Sequence, residues 1–217
     1  MAATAGYNTT IKIGGTSTAV TSEACTGATT TWQVTSASKR IIDPSIVPVW
    51  YDSGAGIPDN EVSSVNYLTG TVVFTGSKTG PITVDLNYIP MLTYTGARSV
   101  DVTFEADELD TSVFGTQWRK RIQGLKKASG KVENLELMTA DFDPGGTTRT
   151  LSAVFTNGTQ VVLELSPDGG TTFYRFWAVL FSVEDASAVD ALVVTTADFE
   201  SVSITAADGS IVTVYFT

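Results

Sequence analysis

The sequence predicts a mainly β protein, an antiparallel sandwich or half-barrel with one short flanking helix. Apolar and polar residues alternate with the period of two that half-buried strands require. Tight-turn signals built on Gly, Asn and Asp separate several of the alternating runs. Threonine is abundant throughout, which suits the exposed side of a pleated sheet.

Along the chain, residues 1–7 and 14–30 are small and polar, so residues 1–30 are expected to form an N-terminal arm and a flexible loop. The span from Asp52 to Asn66 is rich in Gly, Pro, Asp and Ser between two strand signals, which predicts a long hairpin loop over 52–66. Leu68-Thr69-Gly70 then makes a turn before a strand beginning at Thr71. Ile82, Val84, Leu86 and Tyr88 alternate with Thr83, Asp85 and Asn87, and Val100, Val102 and Phe104 repeat the pattern.

Residues 117–127 admit two structures. As a strand, Trp118, Lys120 and Ile122 share one face and Arg119 and Arg121 the other, with a turn at Ala128-Ser129-Gly130 and a return strand to Leu137. As a helix, Trp118, Ile122 and Leu125 form a stripe that Gly124 weakens. The alternating return segment favours the hairpin. A short helix is expected over 146–157, where Leu151, Val154 and Phe155 fall at i, i+3 and i+4, Thr147 can cap and Gly158 can terminate.

Val161, Leu163 and Leu165 form the next strand after an Asn157-Gly158 turn. Residues 173–183 are apolar on both faces apart from Arg175 and Ser182, as in a strand buried on two sides. Ala207-Asp208-Gly209 precedes a final strand, so residues 207–217 are read as a C-terminal strand and residues 1–217 as one domain.

The composition narrows the functions available. The chain has no histidine and a single cysteine, Cys25, which removes Ser-His-Asp and Cys-His chemistry and any intrachain disulfide. The formal net charge is −10, so tight binding of nucleic acid, which needs Lys and Arg to neutralise phosphate, is not expected. No apolar run reaches the roughly 18 residues of a membrane-spanning helix, and no membrane partner is expected. The charge is unevenly placed: six of the 13 basic residues lie between Arg119 and Lys131.

Three short motifs were weighed for chemistry. Glu105, Asp107, Glu108 and Asp110 form a carboxylate cluster that is ordinarily solvated or cation-facing. Ser166-Pro-Asp-Gly-Gly-Thr-Thr-Phe173 has the form of an Asp-box, of which one copy is a hairpin turn. Asp141-Phe-Asp143-Pro-Gly-Gly146 begins like a calcium loop but lacks the terminal bidentate Glu. No catalytic, metal or cofactor site is assigned, and the chain is read as a non-enzyme.

The order of Thr111-Ser-Val-Phe114-Gly115, Trp118, Ile122, Gly124-Leu125-Lys126 and then Ser129-Gly130 with Val132-Glu133 resembles the major tail tube proteins of long-tailed, siphovirus-like bacteriophages. In that family a Thr-x-x-Phe-Gly turn, a Trp a few residues on and a Gly-Leu-Lys/Asp-x-x-Ser-Gly run recur in this order. Segments 31–52, 65–74 and 82–90 resemble the family's opening strands, so the likeness covers most of residues 30–206.

The resemblance implies a structural virion protein, made in the host bacterial cytoplasm and residing in the phage tail. Six copies would close a ring by pooling strands into a continuous inner β-barrel. Stacked rings would surround a tape-measure protein, meet tail terminator and distal tail or baseplate proteins, and let viral DNA pass without tight binding during ejection.

On that reading Phe114, Gly115, Trp118, Arg119, Lys120, Arg121, Lys126 and Lys127 are expected at a subunit interface, facing Glu105, Asp107, Glu108 and Asp110 of the next copy. Asp85, Asp101, Glu105 and Glu164 lie on polar faces of alternating strands and are expected to line an acidic lumen, where six copies at −10 each carry −60. The alternative is a surface-displayed immunoglobulin-like or carbohydrate-binding β-sandwich, with Trp32, Trp50, Trp118 or Trp177 stacking on sugars, although buried aromatics are the commoner case.

Overall fold

The computed structural model describes residues 10–52, 59, 61–93, 97–110, 121–136, 158, 160–166, 172–186, 193–212 and 215–216. Fifteen strands appear among them: β1 (Thr10–Gly14), β2 (Thr18–Val34), β3 (Val49–Tyr51), β4 (Val62–Asn66), β5 (Thr71–Lys78), β6 (Thr83–Tyr88), β7 (Met91–Thr93), β8 (Ala97–Asp110), β9 (Arg121–Glu136), β10 (Val161–Ser166), β11 (Tyr174–Ala186), β12 (Val193–Ser201), β13 (Ile204–Thr205), β14 (Ile211–Val212) and β15 (Tyr215–Phe216). The one helical element described is a 3-10 turn at Ala37–Lys39. The helix expected over 146–157 lies outside the described residues, as does the N-terminal arm at 1–7.

Every strand pairing described is antiparallel. The larger sheet runs β7-β1-β10-β11-β12-β9-β8, with β15 also paired to β11, and the smaller runs β3-β6-β2-β5-β4. The hairpin β13-β14 stands apart as a two-stranded unit.

The centre of the larger sheet is apolar on both faces. Val161, Leu163 and Leu165 of β10 join Phe176, Ala178 and Leu180 of β11 in one core, while Val162 and Trp177 point the opposite way into another. All six residues of β10 are buried. The two-sided burial expected for residues 173–183 holds at Phe176–Ala178 and Leu180 but not at Phe181, which is 60% exposed, and where it holds it forces a cover onto each face.

The smaller sheet supplies one cover, placing Trp32, Val34, Trp50, Phe74 and Val84 against Val162 and Trp177. The second core is drawn from the larger sheet itself: Ile11, Ile13, Val132, Ala197 and Phe199 complete it. The sheet therefore curls into a half-barrel. Phe104 of β8 and Tyr174 of β11 lie three strand spacings apart, about 14 Å on a flat sheet, yet their ring centroids are 5.1 Å apart.

Four expectations are corrected. Residues 18–34 are strand, where residues 14–30 were read as flexible loop. β2 pairs with β6 at one end and with β5 at the other, and between the two it bends sharply. Ser22 and Thr29 take positive φ there, Thr35 N donates to Ala24 O at 3.0 Å, and a Cβ on Gly27 would lie 2.3 Å from Thr31 O. Small polar residues served a tight bend, which a composition argument reads as looseness.

β3 and β4, expected to be the arms of a 52–66 hairpin, sit at opposite edges of the smaller sheet and do not pair. Asp59 N donates to Trp50 O at 2.7 Å, and Lys78 holds Asp59 at 2.8 Å and Glu61 at 2.7 Å. These two carboxylates keep the Lys78 ammonium above the usual lysine range.

The turn expected at Ala128-Ser129-Gly130 is absent. β9 runs through these residues, flanked by β8 and β12. Gly130 is a packing glycine: a Cβ there would meet Asp101 O at 1.9 Å and Phe199 Cζ at 2.8 Å. The single C-terminal strand expected over 207–217 is instead two short strands in different partnerships, β14 with β13 and β15 with β11.

The turn glycines are where the sequence placed them. Gly70, Gly158 and Gly209 all have positive φ, and the 166–173 segment joins the paired strands β10 and β11. Because the obstruction at Gly130 is backbone, Gly130→Ala is expected to destabilise the fold by about 3 kcal/mol through overpacking, read as a lowered urea midpoint. An unchanged midpoint would show that β8, β9 and Phe199 do not meet so closely.

Candidate functional site: an open sheet edge and its two-stranded arm

β8 is the outermost strand of the larger sheet at one end, 14 residues long, and no other described strand pairs with its outer side. An edge of that length presents a row of backbone donors and acceptors. The opposite edge, β7, is three residues long.

β8 and β9 together reach beyond the sheet. Their mutual register runs from Ala97 opposite Asn134 to Asp110 opposite Arg121, whereas the pairing of β9 with β12 stops at Ser129 opposite Glu200. Among the described strands, residues 121–128 thus pair only with β8, and the two strands run on together for roughly 25 Å at 3.3 Å per residue. Ala128 N finds its second-side partner in a side chain, Ser201 Oγ at 2.8 Å.

The arm gathers most of the residues expected at an interface, in an unexpected relation. Glu105 is opposite Lys127, Glu108 opposite Gln123 and Asp110 opposite Arg121, with Lys126 opposite Ala106 and a register shift between Ala106 and Glu108. The acidic strand expected to meet the basic segment of a neighbour already lies beside the basic segment of its own chain. Glu105 and Lys127 form an ion pair at 3.2 Å, both about half exposed. Phe114, Gly115, Trp118, Arg119 and Lys120 lie outside the described residues.

The residues expected to share a lumen do not share a surface. Asp101 and Glu105 are exposed on the polar face of β8. Asp85 belongs to the smaller sheet, where Tyr51 Oη donates to it at 3.0 Å and Ser22 N at 2.7 Å. Glu164 is buried, 5% exposed. In place of the last two, Asp198 and Glu200 of β12 stand in the same outer rows as Asp101 and Thr103: Asp101, Lys131 and Asp198 are successive register partners across β8, β9 and β12. Their alternation with Ala197 and Phe199 is visible in the sequence, but which strand they join is not.

Glu164 instead anchors the space between the sheets. Lys12 Nζ lies 2.6 Å from its Oε1 and Arg175 Nε donates to Oε2 at 2.8 Å, the three residues being register neighbours on β1, β10 and β11. Arg175 Nη1 also donates to Leu68 O at 2.6 Å in the β4–β5 turn, tying the larger sheet to the smaller, and its guanidinium stacks 4.4 Å from the Phe173 ring. Burial pushes the Glu164 carboxyl up, but the bonds from Lys12 and Arg175 outweigh it, and the group titrates below the usual carboxylate range.

Other chemistry finds no place in the described residues. Trp32, Trp50 and Trp177 are all buried, so the sugar-stacking platform weighed for the alternative reading loses three of its four members. The Cys25 thiol is pushed up to about 12 by burial and by Glu23 and stays protonated. Ser36-Ala-Ser-Lys39 has the Ser-x-x-Lys spacing of a serine with a lysine base. Both residues turn to Glu23, Lys39 at 2.5 Å, and burial's upward push on that carboxyl is outweighed by these bonds. No group of three or more metal-ligating side chains occurs among the described residues, and no helix there is long and apolar enough to cross a membrane.

No protein-family model matches the chain, and no curated protein does. Among solved structures it is similar to a chain from the tail of an empty gene transfer agent particle refined with C6 helical symmetry, at 17% identity over 59% of this chain and 87% of that one, with a TM-score of 0.45. It is also similar to a chain from the virion of a native gene transfer agent particle, at 20% identity over 58% and 88% of the respective chains, with a TM-score of 0.44.

The Glu164 cluster gives a pH signature. A carboxyl whose folded pKa is depressed contributes stability above its unfolded value, near 4.3, and that contribution is lost as pH falls through the folded value. Glu164→Gln is expected to cost about 3 kcal/mol at pH 7 by leaving Arg175 without its buried partner, and to flatten the fall in stability below about pH 4.3. Equal acid limbs for both chains, measured by denaturation at stepped pH, would remove Glu164 from that role.

Proposed function

We propose that this chain is a structural virion protein whose copies assemble into a phage-like tail tube. The observation that carries the reading is the 14-residue open edge of β8 and the arm that extends it. A long edge strand with no further strand beside it among the described residues is poised to pair with another chain, and closing a barrel across subunits is the arrangement that leaves no edge. The ordered motif resemblance over residues 111–133 points the same way.

On this reading six copies close a ring, rings stack around a tape-measure protein, and terminator and distal tail proteins bind the two ends. The outer polar rows of β8, β9 and β12 face the passage, with Asp101, Glu105, Asp198 and Glu200 keeping the wall acidic. Duplex DNA carries about one negative charge per 1.7 Å, and repulsion over roughly 8–10 Å would hold it off the wall while it slides. Ring-to-ring contacts are assigned to the surface where Ala207 N donates to Pro44 O, which exposes Ile46, Val47 and Ile211 at 45%, 48% and 68%.

Electron microscopy of the purified chain over a concentration series is expected to show six-membered rings or hollow tubes; a monomer at every concentration would sink the proposal. Asp101→Lys with Asp198→Lys is expected to leave tubes intact and slow DNA release about tenfold or more, because a basic wall binds phosphate. Release at the normal rate would remove these rows from the passage.

A further inference from the structure

We infer that residues 204–214 form a hinged strap, inserted into the strand that runs beside β11, which clamps the smaller sheet to the larger one and opens without disturbing either.

β12 and β15 lie along the same side of β11, since β10 holds the other side at Tyr174 and Arg175. Ser201 faces Ala178 and Tyr215 faces Arg175. That is three steps along β11 but fourteen along its partner, so 11 residues are surplus to one continuous antiparallel strand. The surplus leaves after Val202, whose N–H still donates to Trp177 O at 2.9 Å, and the chain returns at Tyr215. Both roots of the excursion are therefore fixed on one strand of the larger sheet, at Trp177 and Arg175.

Within the excursion, β13 and β14 pair only with each other among the described strands. One face of this hairpin is apolar and covered: Ala206 and Val212 are buried in the core between the sheets and Ile204 packs against it, while Thr205 and Ile211 face water. Its turn reaches the side of the smaller sheet. Ala207 N donates to Pro44 O at 2.8 Å, and Pro44 follows Ile42 and Asp43, whose N–H groups donate to Tyr67 O and Asn87 O, each at 2.8 Å. Asp208 stands against the buried Tyr67 hydroxyl, and burial together with that carboxylate holds the phenol above the usual tyrosine range. Leu68 of the same β4–β5 turn accepts from Arg175, so one turn of the smaller sheet is held twice from one place on β11.

The clamp is weaker than the sheets it joins. Two register pairs close the hairpin, and a two-stranded ribbon by itself is marginal in water. Its buried apolar surface is that of one Ala, one Val and part of an Ile, against the Val, Leu, Phe and Trp side chains that β10 and β11 bury. An element held so lightly lies at the low end of local stability. With both roots pinned, it swings as a unit between Val202 and Tyr215 and leaves the pairings of β11 with β12 and β15 intact.

Hydrogen exchange of the whole chain, read amide by amide in low denaturant, tests the strap. The N–H groups of Ala206, Ala207 and Gly209 donate to Ser210 O, Pro44 O and Ala206 O, each at 2.8 Å. They are expected to exchange together, about a hundredfold faster than the root amide of Val202 and the amides of β10. Exchange of Ala207 in step with β10, or of Val202 in step with Ala207, would overturn the hinge. Deleting residues 204–214, so that Ser203 is followed by Tyr215, is expected to leave a folded chain whose Ile42 and Asp43 amides exchange about tenfold faster, because the smaller sheet has lost a tie. Unchanged exchange at those two amides would overturn the clamp, and a deleted chain that does not fold would overturn the claim that the sheets stand without the strap.

Discussion

Two strands with apolar side chains on both faces set the terms for the rest of the molecule. β10 and β11 cannot lie on a surface, since each face left wet would expose several Val, Leu, Phe or Trp side chains at about 25 cal/mol per Å². One face takes the five-stranded sheet as its cover. The other is closed by the larger sheet bending over it, which brings β8 and β11 close enough for Phe104 to touch Tyr174. Curvature here is a consequence of burial, and the half-barrel follows from it.

The same constraint explains the charges between the sheets. Glu164 alternates with Leu163 and Leu165, so its side chain is committed to the layer that faces the smaller sheet. An unpaired carboxylate in that layer would cost several kcal/mol. The chain meets this with register: Lys12 and Arg175 fall directly opposite on the two neighbouring strands, and Arg175 spends a further N–H on Leu68 O across the gap. The ion cluster thereby orients one sheet on the other as well as neutralising itself.

Bending the sheet brings its two edge strands to within the three residues 94–96 of each other along the chain, without a pairing between them among the described residues. One end is the short β7, the other the long β8, whose far half travels with β9 past the limit of β12. Apolar burial governs the middle of the sheet and polar rows govern this end: Asp101, Lys131 and Asp198 alternate in sign across three strands, and Ser182 Oγ donates to Asp198 at 2.5 Å. This end is polar on its outer face, and no further strand among the described residues pairs with it.

Local features were legible in the chain. Period-two alternation marked β6, β8 and β10, the double-sided apolar run marked β11, and Gly70, Gly158 and Gly209 marked backbone with positive φ, because each depends on residues within a few positions of one another. What the sequence could not decide was partnership. Ser129-Gly130 has the composition of a turn and became the middle of a strand, since Phe199 and the Asp101 carbonyl occupy the space a side chain would need. Residues 18–34 read as loose and became a bent strand shared by β5 and β6. Glu164 and Asp101 look alike on their strands, yet one is sealed between two cations and the other stands in water. Alternation assigns a residue to one of two faces; only the distant strand that comes to lie against that face determines whether it meets a core, an ion partner or solvent.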